Sequence, residues 1–235
     1  MAYRQSPFAN LTPVVKNLLI INLICFIPFI VLSEGRYNDL VVGNFGLFYF
    51  DSPHFRVWQL LTYMFVHGGW AHIIFNMFAL FSFGPILEYA IGPKKFFNLY
   101  FICGIGAALI QMLAQGVEVH NITGAFTILE PNLESSYMQF GDHAQKLFNI
   151  YSGPTVGASG AIFGVVVGFA MLYPDMELML LFVPVPIKAK YLIPVYIVIE
   201  LISGFGQFTG DNVAHFAHLG GALLGFSLIK IWRYR

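Results

Sequence analysis

Apolar residues in this chain fall in long blocks broken by short polar segments. The blocks run about 16 to 22 residues with little or no charge, and at about 1.5 Å of rise per residue each matches a hydrocarbon core roughly 30 Å thick. The pattern predicts membrane-crossing helices at about 17–33, 71–91, 95–115, 154–173, 190–207 and 212–232. Turn chemistry separates most of them: Gly92-Pro93-Lys94-Lys95, Pro174-Asp175, the Pro184 and Pro186 pair, and Gly210-Asp211-Asn212. The expected fold class is an all-α polytopic membrane protein, a six-transmembrane-helix bundle forming one domain over residues 1–235. No internal repeat or low-complexity tract divides it.

Composition supports the bilayer. The chain is 57% hydrophobic and 17% aromatic, and only 10% charged, against about 25% in an ordinary soluble protein. So few charges could not cover the surface of a soluble domain of this size. The first block, Asn17 to Leu32, is followed by Ser33-Glu34-Gly35-Arg36 rather than a small-residue cleavage site, so it reads as a retained span. Cys25 and Cys103 each lie inside an apolar block and read as small hydrophobes, neither a disulfide nor a nucleophile. Formal net charge is zero, and no basic stripe interleaved with aromatics occurs, which excludes nucleic acid as a partner.

Orientation follows from the basic residues, which are retained on the cytoplasmic side near span ends. With the N-terminus inside, nine lie inside (Arg4, Lys16, Lys94, Lys95, Lys188, Lys190, Lys230, Arg233 and Arg235) and three outside (Arg36, Arg56 and Lys146). Two long outer loops result. That at about 34–70 is rich in Phe, Tyr and Trp and suits the membrane interface. That at about 116–153 is polar and carries four of the twelve acidic residues, Glu118, Glu130, Glu134 and Asp142.

Ionisable residues inside a bilayer are costly and mark function by default. Counted at about 1.5 Å per residue from the outer boundaries, Ser159, His218 and Asn76 lie roughly 8 to 10 Å deep, with His72 shallower. Small residues at four-residue spacing, Gly160, Gly164 and Gly168 on span four and Gly221 and Gly225 on span six, let those two helices approach closely. Such a pairing would bring the Ser159 hydroxyl to the His218 imidazole, where a base can activate a serine. His72 and Asn76, spaced i, i+4, share one helix face and could both donate to an oxyanion, with the Ser159 N–H as a third donor. No Asp or Glu is expected on the outer half of any span to orient His218, so the reading is a dyad.

Each feature alone has a plainer explanation. A Gly-Ala-Ser-Gly run in a membrane helix is more often packing, and the histidines and Asn76 could be interhelical hydrogen-bond glue. The same depth on three helices is what packing does not explain. Glu88, near the inner end of span two, reads as a tie between helices. Glu200 must face protein or be protonated. His54, His67, His120 and His143 fall in outer loops without metal-ligand spacing such as His-Glu-x-x-His, so no metal or cofactor is expected. Asn121-Ile122-Thr123 is a glycosylation sequon by pattern only.

Gly157-Ala158-Ser159-Gly160, His218 with Gly221 and Gly225, and His72-x-x-x-Asn76 resemble the G-x-S-G, H-x-x-G-x-x-x-G and oxyanion-side motifs of the rhomboid family of intramembrane serine proteases. Glu88 falls where that family has a structural glutamate, and the resemblance covers the six-span core. It implies that Ser159 is the nucleophile, His218 the general base and acid, and His72, Asn76 and the Ser159 N–H the oxyanion donors, with His215 in a supporting role. Two positions depart from the pattern. Trp58-Gln59 stands where many members have Trp-Arg, so that arginine's role is lost or passes to Arg56. Phe163 stands where some members have Tyr, able to stack on His218 but without a hydroxyl.

The implied activity is cleavage of the transmembrane segments of membrane proteins near the outer face, with substrate admitted beside span five and without a cofactor. The compact N-terminus suggests a bacterial inner membrane. Two alternatives stand beside it: a rhomboid-like protein that binds membrane helices without cutting them, and a proton-coupled carrier using the histidines and Glu200. A non-cutting relative would be expected to lack the Ser or the His, and a carrier would want ionisable groups near the midplane on several broken helices.

Overall fold

The structure is a computed structural model that describes residues 11–131, 135–180, 183–206 and 214–232. Arg4, the Gly210-Asp211-Asn212 turn, Arg233 and Arg235 lie outside the described residues. Six apolar helices form the frame: α1 (Pro13–Val31), α2 (Trp70–Ile91), α3 (Pro93–Thr123), α4 (Ser159–Leu172), α5 (Ala189–Gly206) and α6 (His215–Ile231). Four of them, α1, α2, α3 and α5, are long and apolar enough to cross a membrane, while α4 and α6 are shorter apolar helices. The outer faces carry exposed Ile20, Leu23, Ile24 and Ile27 on α1 and Val195, Val198, Ile199 and Ile202 on α5. In water such faces would be costly. In lipid they are the solvent-facing side, and the chain is a multi-pass membrane protein.

Helix ends shift by up to four residues at most boundaries, and three larger differences from expectation each have a local reason. α3 continues eight residues beyond 115, to Thr123, because nothing before Gly124 breaks it; Gly124 then takes φ +77°, the left-handed conformation that ends many helices. α4 begins at Ser159 rather than 154, since Gly153 and Pro154 disfavour helix and the backbone of 155–157 is committed to other partners. Between α4 and α5 the chain forms two antiparallel strands, β1 (Glu177–Leu180) and β2 (Val183–Lys188), where only a proline-marked turn was expected. β2 carries both prolines and has one neighbour, the edge position prolines tolerate.

Packing centres on α4. It lies against α6, and both lie against α3, with α2 on its other side. The contact between α4 and α6 is backbone to backbone. A Cβ on Gly221 would sit 1.8 Å from the Gly160 carbonyl oxygen, and one on Gly225 2.5 Å from that of Gly164. At the C-terminal end of α2, Glu88 accepts hydrogen bonds from the Val14 and Val15 amides and the Thr12 hydroxyl. These amides are first-turn donors of α1 that have no partner within the helix. The expected tie between spans is therefore a cap supplied by α2 to the start of α1.

The two long loops, one before α2 and one after α3, are built on each other. Tyr49, Val119, Ile128, Tyr137, Leu147, Ile150 and Tyr151 form a second apolar cluster. Asp51 accepts from the Ile128 amide at 2.9 Å and the Tyr151 hydroxyl at 2.7 Å. Gln59 is fully buried, accepting from the Arg56 amide at 3.1 Å and donating to the His54 carbonyl at 3.0 Å. At the position where an arginine was the alternative, this chain uses a neutral amide to staple its own loop. Arg56 is exposed and bonds the Pro53 and Phe55 carbonyls.

Candidate active site

The extended segment before α4 is fixed from three directions. Leu47 and Thr155 exchange both backbone hydrogen bonds, at 2.8 and 2.9 Å, and the Gly157 amide donates to the Tyr63 carbonyl at 2.9 Å. Tyr63 is itself held by its hydroxyl on the Gly104 carbonyl of α3 at 2.7 Å. Gly157 adopts φ +118°, and a Cβ there would lie 2.5 Å from Nε2 of His72, so both conformation and space require glycine. The His72 ring thereby packs directly over the backbone two residues ahead of Ser159.

Ser159 is the first residue of α4. Its N–H belongs to the first helical turn, whose amides have no intrahelical acceptor and which carries the positive end of the helix dipole. Its hydroxyl meets His218 of α6, with Oγ 2.8 Å from Nε2. The imidazole is stacked on Phe163 of α4, centroids 4.4 Å apart and planes at 11°, and Phe163 is stacked in turn on Tyr196 of α5. Phe163 therefore holds the ring face, as its place in the sequence suggested.

The far nitrogen of His218 overturns one expectation. Its Nδ1 lies 2.9 Å from Oε2 of Glu200, and the same oxygen lies 2.7 Å from Nδ1 of His215. An acidic residue is thus in position to orient His218. In the sequence Glu200 reads only as a residue within span five, which hides this role. Counted from the expected outer end at 207, it lies at the depth of His218. Gly204, one turn on, packs against His215 and turns this face of α5 toward α6. The three donor atoms of Glu200, His215 and His218 lie within 4.8 Å of one another, the one grouping among the described residues able to ligate a cation. Their mutual hydrogen bonds already satisfy them.

Ser159, His218, His72, Asn76, His215 and Glu200 all line one cavity of about 1470 Å³. Asn76 is nearly buried, and its amide donates to the His72 carbonyl at 2.9 Å within its own helix, leaving its second N–H uncommitted by that bond. The apolar walls come from α2 (Phe75, Ala79 and Phe83), α4 (Ile162 and Val166) and α5 (Leu192, Val195 and Ile199). His67 is not in this set. It is fully buried in the segment before α2, its ring 5.1 Å from that of His72.

A rhomboid domain family model matches residues 54–235 of this chain. The chain belongs to the rhomboid family. Among curated relatives, rhomboid protease AarA of Providencia stuartii is 27% identical over 249 aligned positions, covering 98% of this chain and 79% of that protein. Rhomboid protease GluP of Bacillus subtilis is 31% identical over 169 positions, covering 72% of this chain and 25% of GluP. Rhomboid protein 1 of Saccharomyces cerevisiae mitochondria is 30% identical over 161 positions, 68% of this chain and 38% of that protein. The alignment to rhomboid-like protein 16 of Arabidopsis thaliana chloroplasts likewise spans 45% of that relative. This rhomboid chain therefore corresponds to less than half the length of several relatives it matches.

Proposed function

We propose that this rhomboid protein is an intramembrane serine endopeptidase that cleaves transmembrane segments of other membrane proteins near the outer face. The observation that carries the reading is the 2.8 Å approach of the Ser159 hydroxyl to the His218 imidazole inside a cavity lined by further hydrogen-bond donors. Ser159 Oγ attacks the carbonyl carbon of the scissile peptide bond as its proton passes to His218 Nε2. The oxyanion that forms is held by the Ser159 N–H, His72 and Asn76. Collapse expels the amine, which takes the proton from His218 and leaves an acyl-enzyme. A water then attacks the ester carbonyl, giving its proton to His218, which returns it to Ser159 as the acid product leaves.

Substrate helices reach the site from the lipid, on the side where the apolar walls from α2 and α5 flank the cavity. Water enters from the outer surface, since a polar site within the hydrocarbon region must line a wet cavity. Both termini are cytoplasmic, by the nine-to-three distribution of basic residues. The test is cleavage of a fluorogenic transmembrane peptide by the reconstituted protein. Wild type cuts it and Ser159→Ala does not; sustained cleavage by Ser159→Ala would refute the mechanism.

A further inference from the structure

We propose that Glu200 is a positioning residue for the base, making the hydrolytic unit Ser159–His218–Glu200 rather than a dyad, with His215 as the clamp on the carboxylate. The inference rests on the reading that Ser159 and His218 carry out the hydrolysis.

Hydrogen-bond valence leads to it. Oε2 of Glu200 receives Nδ1 of His218 at 2.9 Å and Nδ1 of His215 at 2.7 Å. A carboxylate can only accept, so each imidazole contributes its Nδ1–H. With its proton on Nδ1, a neutral His218 has its Nε2 lone pair free, and that nitrogen faces Ser159 Oγ at 2.8 Å. The carboxylate therefore selects the one tautomer in which His218 can take the serine proton. When the proton arrives, the imidazolium forms against a buried negative charge, as in triads where an acidic residue both orients the base and stabilises its charged form.

Glu200 is only 4% exposed. A buried carboxylate persists when its lone pairs are occupied by good donors, and His215 supplies the second. The arrangement thus divides the work between two histidines: His218 reaches the serine, and His215 helps fix the oxygen on which His218 turns. Phe163 and Tyr196 close the ring stack on the other side. A role limited to tying α5 to α6 would need the hydrogen bonds but not the charge, and would be indifferent to which nitrogen of His218 carries the proton.

Two measurements decide it. In cleavage kinetics, Glu200→Gln, nearly isosteric and still able to hydrogen-bond, should lower kcat by about 10²- to 10⁴-fold, judged from orienting acids elsewhere, with KM within about twofold. Glu200→Asp, which keeps the charge on a shorter arm, should fall between the two. A Glu200→Gln kcat within threefold of wild type would overturn the proposal while leaving the Ser159–His218 reading intact. An inactive wild type would instead count against that reading. Should Glu200→Gln not fold, ¹⁵N spectra of histidine-labelled wild type decide, with His218→Ala and His215→Ala used for assignment. The proposal requires neutral His218 protonated at Nδ1, and a proton on Nε2 would overturn it.

Discussion

At the scale of single residues, the site is a set of polar groups that would each be a liability in lipid and are tolerated because each has a partner. Ser159 has His218, His218 has Glu200, and Glu200 has His215. Asn76 is the least committed: among the described residues its amide bonds the His72 carbonyl one turn back. If it donates to the oxyanion, Asn76→Ala should retain cleavage but lose roughly tenfold to a thousandfold in kcat; an unchanged rate would remove it from the mechanism. His67 supplies a different prediction. Burial, reinforced by the neighbouring His72, pushes its pKa down to about 4, with the Phe65 backbone acting slightly the other way. The unfolded chain then binds a proton that the folded protein refuses between about pH 6.5 and 4. Stability should therefore fall through that window, by up to roughly 3 kcal/mol from this group, and change no further below it. Denaturation midpoints measured against pH should lose that slope in His67→Phe. Depth counting places Ser159 and His218 in one layer, and the glycine spacing of their helices is what lets them meet. Glu200 stays hidden until the same count is made from the C-terminal end of α5.

At the scale of elements, the meeting of α4 and α6 sets the distance between Ser159 and His218. The glycine spacing makes this pairing legible in the sequence: Gly160 and Gly164 face Gly221 and Gly225 with no room for a methyl group. Gly221→Ala should destabilise the protein by at least about 1 to 3 kcal/mol and lower cleavage as the helices separate. Gly35→Ala, at a position with nothing within 4 Å, serves as the neutral control, and thermal melts in detergent report both. The late start of α4 is not legible, because the break depends on partners distant in sequence. Thr155 pairs with Leu47 and Gly157 with Tyr63, and an apolar block cannot reveal that its first residues are extended. The strands β1 and β2 are hidden for a similar reason. Two prolines in a short segment signal an end to helix, and an edge strand is only one of the conformations that accommodate them.

At the scale of the whole molecule, two systems support one cavity. Close-packed helices bring the polar groups to one cavity, and the two long loops, locked together through Asp51 and the Tyr49–Tyr151 cluster with Gln59 stapling the first from within, hold the extended segment that leads to Ser159. The six-helix architecture is readable from block length and charge, whereas this loop scaffold is not, since its contacts join residues about a hundred positions apart, such as Ser52 and Tyr151. The central claim is that the assembly activates Ser159. It is tested most directly by treating purified wild type, Ser159→Ala and His218→Ala with a fluorophosphonate probe, which needs no knowledge of the substrate. Covalent labelling of wild type should be lost in both variants; a folded wild type that does not label, or labelling that survives in Ser159→Ala, would contradict activation of Ser159.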